Sequence, residues 1–308
     1  MSRMIPSYFG FCGQSAIVKS LKSLIAAAKE KLIALPHILL KGAPGMGKSL
    51  LAKSIAADLE TGFRVINCNN SITPIEILLS LNDLKKGDVV FFDEVHALNH
   101  KSIEALYTLL TDFKMNEIID NKINPSKTIE IPPFTAIGAT DQPEKLPKAF
   151  RSRMIMEKEF VPYTQQEIRF IVGNCASQNN LLINDQAKTL IGKASRGNPR
   201  EITKIIKTIS IQNTIRISPL TKTEVRSHLN IHFQIDNKNL KPKDREYLNY
   251  LRIHKFSSLK MLAGLCNCNE KEIEANVENY LLREGLISIQ RQGRCLTEQG
   301  RKIIGGTK

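Results

Sequence analysis

The chain has 308 residues, of which 42% are hydrophobic, and it carries a net charge of +14. Two or three compact units are expected at this length, because single hydrophobic cores rarely extend beyond about 250–300 residues. There is no apolar run of about eighteen residues and no signal-peptide core at the N-terminus, which argues against a membrane protein and against export. We therefore expect a soluble, cytoplasmic protein whose six cysteines are reduced.

The positive charge is concentrated in the second half of the chain. Residues 1–160 contain 20 Lys and Arg against 17 Asp and Glu, whereas residues 161–308 contain 24 against 13. The two halves thus carry net charges of +3 and +11. Because clustered basic side chains attract phosphate backbones, the second half is the one expected to face a polyanion. A solvated basic surface would show the same charge.

Apolar runs alternate with helical patterns in the first half. Residues 16–35 predict a helix that ends before Pro36, and strands are predicted at 38–40, 63–66, 88–94 and 134–140. A helix over 101–113 and a β-hairpin over 114–131 lie between the last two strands. Runs that are apolar throughout are typical of parallel strands buried on both faces. We predict that residues 1–160 form a three-layer α/β domain that binds its ligand at the carboxyl ends of the strands.

The second half is predicted to be helical at first. Residues 164–214 show helical spacing and open with a capping box formed by Thr164 and Glu167. We assign residues 161–235 to a small helical domain. An Asn-rich and Lys-rich stretch ending at Pro242 predicts a linker.

The last part of the chain, residues 236–308, combines short helices with two strands. The strands are predicted at 286–290 and 294–297, on either side of a turn at Gly293. Helices followed by such a two-stranded wing are typical of winged-helix domains. We therefore predict that this part binds nucleic acid.

Residues 42–49 read Gly-Ala-Pro-Gly-Met-Gly-Lys-Ser and fit the phosphate-binding pattern G-x-x-x-x-G-K-[S/T]. The glycines allow backbone N–H groups to approach phosphate oxygens without a Cβ in the way. Lys48 is predicted to reach the β- and γ-phosphates of a nucleotide, and the Ser49 hydroxyl to ligate Mg²⁺. An ordinary glycine-rich turn between a strand and a helix is the alternative interpretation.

Two carboxylates follow the apolar strand that begins at Asp88. Asp93 is predicted to hold Mg²⁺ through water, and Glu94 to orient and polarise the attacking water. Such a pair at a strand end is often only solvated, but together with the loop at 42–49 it predicts nucleotide hydrolysis.

Three more side chains complete the predicted site. The Thr140 hydroxyl, at the end of a neighbouring strand, would position the water or sense the γ-phosphate. Arg153 cannot easily fold back onto the phosphates of its own chain, so we expect it to act on a neighbouring subunit as an arginine finger. Arg200, in the first turn of a helix, would contact the γ-phosphate and couple hydrolysis to domain motion.

The order of these motifs resembles that of the AAA+ ATPases, and their residues are similar to those of the RuvB family. Asp93-Glu94-Val95-His96 resembles the family stretch D-E-I-H. Pro132-Pro133-Phe134-Thr135-Ala136-Ile137-Gly138-Ala139-Thr140 resembles P-P-F-T-L-I-G-A-T, and Arg196-Gly197-Asn198-Pro199-Arg200 resembles R-G-T-P-R. The resemblance covers nearly the whole chain. It implies an α/β AAA+ fold with a three-layer αβα P-loop core, a small helical lid and a C-terminal winged helix.

The resemblance also implies a role for individual residues. Thr140 would be sensor 1, Arg200 would be sensor 2 in the same subunit, and Arg153 would be the finger supplied to the next subunit. Lys48, Asp93 and Glu94 would complete the catalytic set, with Mg²⁺ on Ser49 and Asp93. ATP would be bound by Gly42, Gly45, Gly47, Lys48, Ser49, Leu50, Asp112, Phe113 and Tyr163 together with Arg153 and Arg200, and DNA by Arg294 and Arg291.

The chain departs from the family pattern at several places, among them a short N-terminus in which Arg3 falls about one place from the family's arginine near the adenine. Asp141 follows Thr140, and Ala97 follows His96 where the family commonly has an arginine. Ala43 replaces the usual proline of the loop, and Ile289 stands where the family has a second DNA-contacting arginine.

The function that the resemblance implies is an ATP-dependent motor for branch migration of Holliday junctions in recombination and DNA repair. It would act as a homo-oligomeric, hexameric ring on double-stranded and four-way-junction DNA, with a RuvA-like partner bound at the hairpin. A clamp-loader ATPase is one alternative, but such a chain should end in a helical collar. An ATP-gated DNA-binding adaptor is another, although it would have no use for Glu94.

Overall fold

The fold is described from a computed structural model, which covers residues 7–8, 11–119, 122–212 and 218–305. The chain divides into two compact units. The first comprises Met1–Ile171 and Asn198–Arg200, and the second comprises Val172–Gly197 and Glu201–Lys308. The further division of the second unit into a helical domain and a winged helix near residue 235 stays a prediction.

The first unit contains strands and helices in alternation. Within the described residues its elements are β1 Ser7–Tyr8, β2 Phe11–Cys12, α1 Ser15–Lys31, β3 Ile38–Lys41, α2 Lys48–Leu59, β4 Phe63–Asn67, α3 Pro74–Ser80, β5 Val89–Asp93, α4 His100–Asp112, β6 Lys114–Ile119, β7 Lys122–Glu130, β8 Thr135–Thr140, α5 Lys148–Arg151, β9 Met156–Glu159 and the start of α6 Gln165–Gln178.

Five of these strands form one parallel sheet in the order β4, β5, β8, β3, β9. The predicted α/β class and the four predicted strands are confirmed. Strand β9 was not predicted, because its sequence Met-Glu-Lys-Glu is polar. Its position at the edge of the sheet explains why an apolar run is not needed there.

Apolar residues on the two faces of the sheet pack into two separate cores. Val89 and Phe91 of β5 face helices α1 and α2, whereas Val90 and Phe92 face α3 and α4. This alternation follows from the two-residue period of a strand. Val89, Val90, Phe91 and Phe92 are therefore apolar at four consecutive positions of β5, as the sequence indicated.

Two elements differ in detail from the sequence prediction. Helix α1 ends at Lys31, before the predicted end at 35, because Leu32 adopts a φ of 52° and its N–H bonds to the carbonyls of Ala28 and Lys29. The predicted hairpin is confirmed as the antiparallel pair β6 and β7, with a bulge between Asn116 and Glu117. The tip of this hairpin, residues 120–121, lies outside the described residues.

The second unit is mainly helical. Within the described residues its elements after the shared helix α6 are α7 Asp185–Ala194, α8 Pro199–Gln212, α9 Lys222–Phe233, α10 Pro242–Ile253, α11 Leu259–Leu265, α12 Glu270–Ile273, a π-helical turn Glu274–Glu278, α13 Asn279–Arg283, β10 Ile287–Gln290, β11 Gly293–Leu296 and α14 Glu298–Gly305.

Strands β10 and β11 pair as an antiparallel wing, which confirms the predicted hairpin. Its apolar residues join α10, α11 and α13 in one core that includes Tyr247, Leu281 and Leu296. The predicted linker is an ordered turn, because Asp236 Oδ1 accepts bonds from the N–H groups of Lys238 and Leu240 at 2.8 and 2.7 Å. No helix in the described part of the chain is long and apolar enough to cross a bilayer.

Candidate active site

The phosphate-binding loop joins β3 to α2, so it lies at the carboxyl edge of the sheet and ends in a helix N-terminus. Gly45 and Gly47 have φ values of +81° and +97°, which favour glycine. At Gly45, a Cβ would overlap with Asn198 Oδ1 and lie 2.9 Å from Arg200 Cβ. The loop is thus a close-fitting cradle of backbone groups that only glycine allows.

Lys48 lies inside this cradle and is 6% exposed. Its ammonium donates hydrogen bonds to the carbonyls of Gly42 and Ala43 at 2.6 and 3.2 Å. Burial lowers the pKa of Lys48, and the carboxylates of Glu94, Asp141 and Asp93 oppose that shift. The charges of these three acids therefore act on the lysine.

Asp93 and Glu94 stand at the carboxyl end of β5, beside the loop. Glu94 has a φ of +53°, a conformation that costs about 1–3 kcal/mol in a residue with a side chain and clusters at functional sites. Asp93 Oδ1 accepts a hydrogen bond from the Glu94 N–H at 3.2 Å. Burial raises the pKa of Glu94, and the charge of Asp141 raises it further.

Thr140 ends the neighbouring strand β8, and its hydroxyl is fully buried. The Thr140 Oγ1 atom lies 3.0 Å from His96 Nδ1 and accepts a bond from the Gln142 N–H at 2.9 Å. Gln142 Nε2 lies 3.1 Å from the other ring nitrogen of His96. The hydroxyl predicted to act as sensor 1 is therefore engaged in fixing the imidazole ring of His96.

His96 in turn lies between two carboxylates. Its Nδ1 is 3.4 Å from Glu94 Oε2, and its Nε2 is 3.7 Å from Asp141 Oδ1. One atom each of Glu94, His96 and Asp141 lies within 4.8 Å of the others, a spacing that could also hold a cation. Sequence reasoning did not assign a role to His96, Asp141 or Gln142. The available signals were the histidine after Asp93-Glu94 and the departure from the family at Asp141.

The segments that precede α1 and α6 are joined to each other and to the loop. The Tyr163 hydroxyl donates to the Met46 carbonyl at 2.7 Å. Gln14 exchanges two hydrogen bonds with the backbone of Val161, at 2.7 and 3.1 Å. These contacts bring Tyr163 to the loop, and its role in lining a nucleotide pocket stays a prediction. Leu50, on the first turn of α2, is 48% exposed.

Asn198 and Arg200 also contact the loop. Asn198 Nδ2 donates to the Pro44 carbonyl at 3.0 Å, and Asn198 Oδ1 accepts from the Arg200 N–H at 2.9 Å. The Arg200 side chain is exposed, and its charge contributes to the lowered pKa of Lys48. Arg200 is therefore in the same subunit's loop environment, where the sensor 2 role needs it.

Arg153 lies at the opposite edge of the sheet. It precedes β9, whose first residue Met156 pairs with Ile38 at the start of β3, whereas the loop follows the end of β3. The four residues of β3 separate the two edges by about 13 Å. The Arg153 guanidinium lies over the ring of Tyr107, 4.6 Å from the ring centroid. Its Nε donates to the Tyr107 carbonyl at 3.0 Å and to Thr111 Oγ1 at 3.1 Å.

Asp112 and Phe113 lie on the same edge as Arg153. The Phe113 ring packs at 5.9 Å from His37 and 5.7 Å from Phe134, between ring centroids, and these two residues precede β3 and β8. The structure does not bring Asp112 or Phe113 to the loop of the same chain. Phe113 and Arg153 instead line one open cavity.

The two arginines of the wing differ in their surroundings. Arg291 is exposed at the turn between β10 and β11. Arg294 Nε donates to Glu278 Oε1 at 2.8 Å, and the Glu278 side chain is 1% exposed. Gly293 has a φ of +123°, and a Cβ there would lie 2.5 Å from the Ser257 carbonyl oxygen. The turn geometry thus presents Arg291 to solvent, while Arg294 is partly engaged within the fold.

Comparison with known proteins is consistent with this site. Residues 5–160 match the family model of the Holliday junction DNA helicase RuvB P-loop domain, and residues 237–305 match the RuvB C-terminal winged helix domain. The Holliday junction branch migration complex subunit RuvB of Fervidobacterium nodosum is 33% identical over 301 residues, which cover 96% of this chain and 86% of that protein. The corresponding Thermotoga maritima protein is 32% identical over 300 residues, covering 96% and 89%.

Solved structures of Thermotoga maritima RuvB have the same fold. A single-residue variant superposes with a TM-score of 0.80 at 30% identity, covering 99% of this chain and 100% of that one. A second structure, described as the Holliday junction branch migration motor, gives a TM-score of 0.77 at 30% identity and covers 96% of both chains. The glycine loop comes first in the chain, the carboxylates at the end of β5 follow, and the winged helix comes last. Since both family models and these relatives match the chain, it belongs to the RuvB family.

Proposed function

We propose that this chain is an ATP-hydrolysing motor subunit that drives branch migration of Holliday junctions. The observation that carries the proposal is the separation of one complete hydrolysis site into two halves. Lys48 belongs to the glycine loop, and the charges of Glu94 and Arg200 act on it, whereas Arg153 is at the other end of β3. A chain that carries both halves at opposite edges can complete a site only with a second copy of itself.

Within one subunit, the loop amides and Lys48 would hold the phosphates of ATP, and Tyr163 would line the pocket beside Met46. The oxygen donors of Ser49 and Asp93 are of the hard type that Mg²⁺ prefers, and Mg²⁺ held there would neutralise phosphate charge. Glu94 would accept a proton from the attacking water. His96, fixed by Thr140 and Gln142, would hold the Glu94 carboxylate in position.

Between subunits, Arg153 would reach the phosphates bound by the neighbour, where an arginine stabilises the charge of the transition state. The open cavity beside Arg153 and the 73% exposed side chain of Ile155 support this edge as a subunit boundary. Any contact of Asp112 or Phe113 with ATP would be made across the same boundary. A head-to-tail contact of this kind gives a closed ring when the rotation between neighbouring subunits closes, and we propose a ring of six subunits, as the family implies.

The DNA contact is proposed for the winged helix, with Arg291 and Arg294 on phosphates. Such contacts read little sequence and weaken with salt. The hairpin β6 and β7 is proposed to bind a RuvA-like, junction-binding partner, and the protein to work in the cytoplasm with the DNA. The winged helix argues against a clamp loader, because β10 and β11 occupy the place of a helical collar.

The test of this proposal is migration of a synthetic four-way junction. We expect the chain with ATP, and with the RuvA-like partner, to convert the junction into two duplexes. The Lys48→Ala variant should leave the junction intact, because it lacks the cation that binds the phosphates. Junction conversion that is equally fast with Lys48→Ala would contradict the motor function, and ATP hydrolysis without any conversion would favour the adaptor.

Replacement of Asp141 with asparagine is expected to shift the pH dependence of hydrolysis. Glu94 must be ionised to accept a proton, so activity is lost as the pH falls through its pKa. The charge of Asp141 raises that pKa, as does Asp93, whereas His96 and Lys48 lower it. Removing one negative charge lowers the Glu94 pKa and moves the acid limb of the rate profile to lower pH.

The measurement is the rate of ATP hydrolysis between about pH 4.5 and 8. The matched control is Asp185→Asn, which changes an exposed aspartate in the second unit and should leave the acid limb in place. If the acid limb of the pH–rate profile is unchanged in Asp141→Asn, or moves to higher pH, the charge of Asp141 does not raise the pKa of Glu94.

A further inference from the structure

Arg196 opens the Arg196–Arg200 motif, and the site described above does not use its side chain. It follows α7 and adopts a φ of +57°, which is uncommon for a residue with a side chain. The side chain is only 14% exposed. A buried arginine in a strained backbone position persists only where the surrounding structure holds it.

Within the described residues, the contacts of the Arg196 side chain are with the winged helix, which also supplies the donor to its carbonyl. Nη2 pairs with Asp244 Oδ2 and Nη1 donates to the Asn276 carbonyl. The guanidinium lies 4.0 Å from the centroid of the Tyr280 ring, and the Arg196 carbonyl accepts from Arg283 Nη2 at 2.9 Å. We name these five residues the Arg196 cluster.

The residues that hold the Arg196 side chain belong to the packed part of the winged helix. The Asp244 side chain is 1% exposed and also accepts from the Lys241 N–H at 2.7 Å, so it caps α10. Asn276 and Tyr280 belong to the π-helical turn and α13, which carry part of the core of this domain. An arginine fixed to two helices in this way is expected to move with them, because separating the buried ion pair would leave uncompensated charges.

The chain reaches the P-loop two residues later. Asn198–Arg200 is counted with the first unit, whereas Arg196 and Gly197 belong to the second. Asn198 donates to the Pro44 carbonyl, and Gly45 has no room for a Cβ because of Asn198 and Arg200. A single residue, Gly197, thus separates an anchor on the P-loop from an anchor in the winged helix.

We propose that Arg196 is a positioning residue that transmits the nucleotide state of the P-loop to the winged helix through the Arg196 cluster. When phosphates displace the loop or Asn198, the short connection through Gly197 shifts Arg196, and α10 and α13 follow because they hold its guanidinium. By reciprocity, DNA that orients the winged helix changes the position of Arg200 at the nucleotide. This inference rests on the proposed function only in taking ATP as the ligand of the loop.

The test is hydrogen–deuterium exchange on the full chain, with and without an ATP analogue whose β,γ-bridging oxygen is replaced by an imido group. In the unsubstituted protein we expect the analogue to slow exchange of amides 42–51 and to change exchange at 242–253 and 274–283 by roughly 2- to 30-fold. In Arg196→Met the effect at 42–51 should remain, and the effect at the winged helix should fall below about twofold.

Two further variants separate transmission from stability. Arg252→Met changes an exposed arginine on the same helix as Asp244 and should behave like the unsubstituted protein. Arg196→Met/Asp244→Asn removes both buried charges, which avoids leaving one unpaired, and should also lose the winged-helix response. The double variant is the one to measure if the single variant does not fold.

The outcomes distinguish this inference from the proposed function. A winged-helix response that is the same in the unsubstituted protein and the Arg196 variants overturns the role of Arg196. Protection at 42–51 with no winged-helix response in the unsubstituted protein overturns the inference and leaves the proposed function standing. No protection at either place overturns both.

Discussion

The Glu94→Gln variant is expected to hydrolyse ATP about 10²- to 10⁴-fold more slowly than the unsubstituted protein, because glutamine cannot accept the proton of the attacking water. The substitution keeps the shape of the side chain and removes its charge. Lys48 and the loop amides are unchanged, so ATP binding should persist. The measurements are steady-state phosphate release and equilibrium binding of a fluorescent ATP analogue.

The control for this prediction is Glu104→Gln. Glu104 is an exposed carboxylate on α4, and its Oε2 lies 3.3 Å from His100 Nδ1. Its removal should leave hydrolysis within about twofold, because surface ion pairs contribute little. A hydrolysis rate in Glu94→Gln that equals that of the control would exclude Glu94 as the residue that activates water.

Arg153→Ala is expected to lower hydrolysis by about 10³-fold or more, as for other arginine fingers. The reason is the position of Arg153 at the far end of β3 from its own loop. The loss should therefore be repaired by a second subunit that supplies the arginine. Phosphate release is measured for Arg153→Ala alone, for Glu94→Gln alone and for mixtures of the two.

In an equal mixture, about a quarter of the subunit boundaries join the loop of an Arg153→Ala subunit to the finger of a Glu94→Gln subunit, if subunits mix at random. These boundaries carry one intact Glu94 and one intact Arg153, so activity should reappear on mixing. If the mixture of the two variants releases no more phosphate than either variant alone, under conditions where rings form, then Arg153 does not act on the ATP of a neighbouring subunit.

The control here is Arg151→Met, two residues away. Arg151 donates to both carboxylate oxygens of Glu157 in the same chain, at 3.0 and 2.9 Å. Its loss should affect stability modestly and leave hydrolysis close to that of the unsubstituted protein. A defect as large as that of Arg153→Ala would mean that this edge is sensitive to any lost charge.

The sequence alone was sufficient to predict those elements whose structure depends on a few neighbouring residues. The glycines at 42–49 favour a phosphate-binding turn between a strand and a helix, and short apolar runs such as 89–92, bounded by turn residues, favour buried strands. The wing follows from two short strands around Gly293. These elements are confirmed because their signals are contained within a few neighbouring residues.

The sequence did not predict the structure correctly where tertiary packing or a reversal of the chain determines the element. Leu32 ends α1 in a left-handed turn although the apolar spacing continues to residue 35. Strand β9 is polar and exists because the edge of β3 offers unpaired backbone groups. Neither feature leaves a signal in the residues that form it.

The site shows the same division between sequence and tertiary structure. The sequence by itself determined which residue types bear the chemistry, since phosphate binding, metal ligation and proton transfer each require particular side chains at particular spacings. It also supplied the family through these motifs. Only the tertiary structure decided that the Thr140 hydroxyl is bonded to His96, that Asp141 lies close to Glu94 and His96, and that Arg196 is anchored in the winged helix. Such contacts join residues distant in the chain, and their geometry depends on the order of strands and the packing of helices rather than on any local pattern.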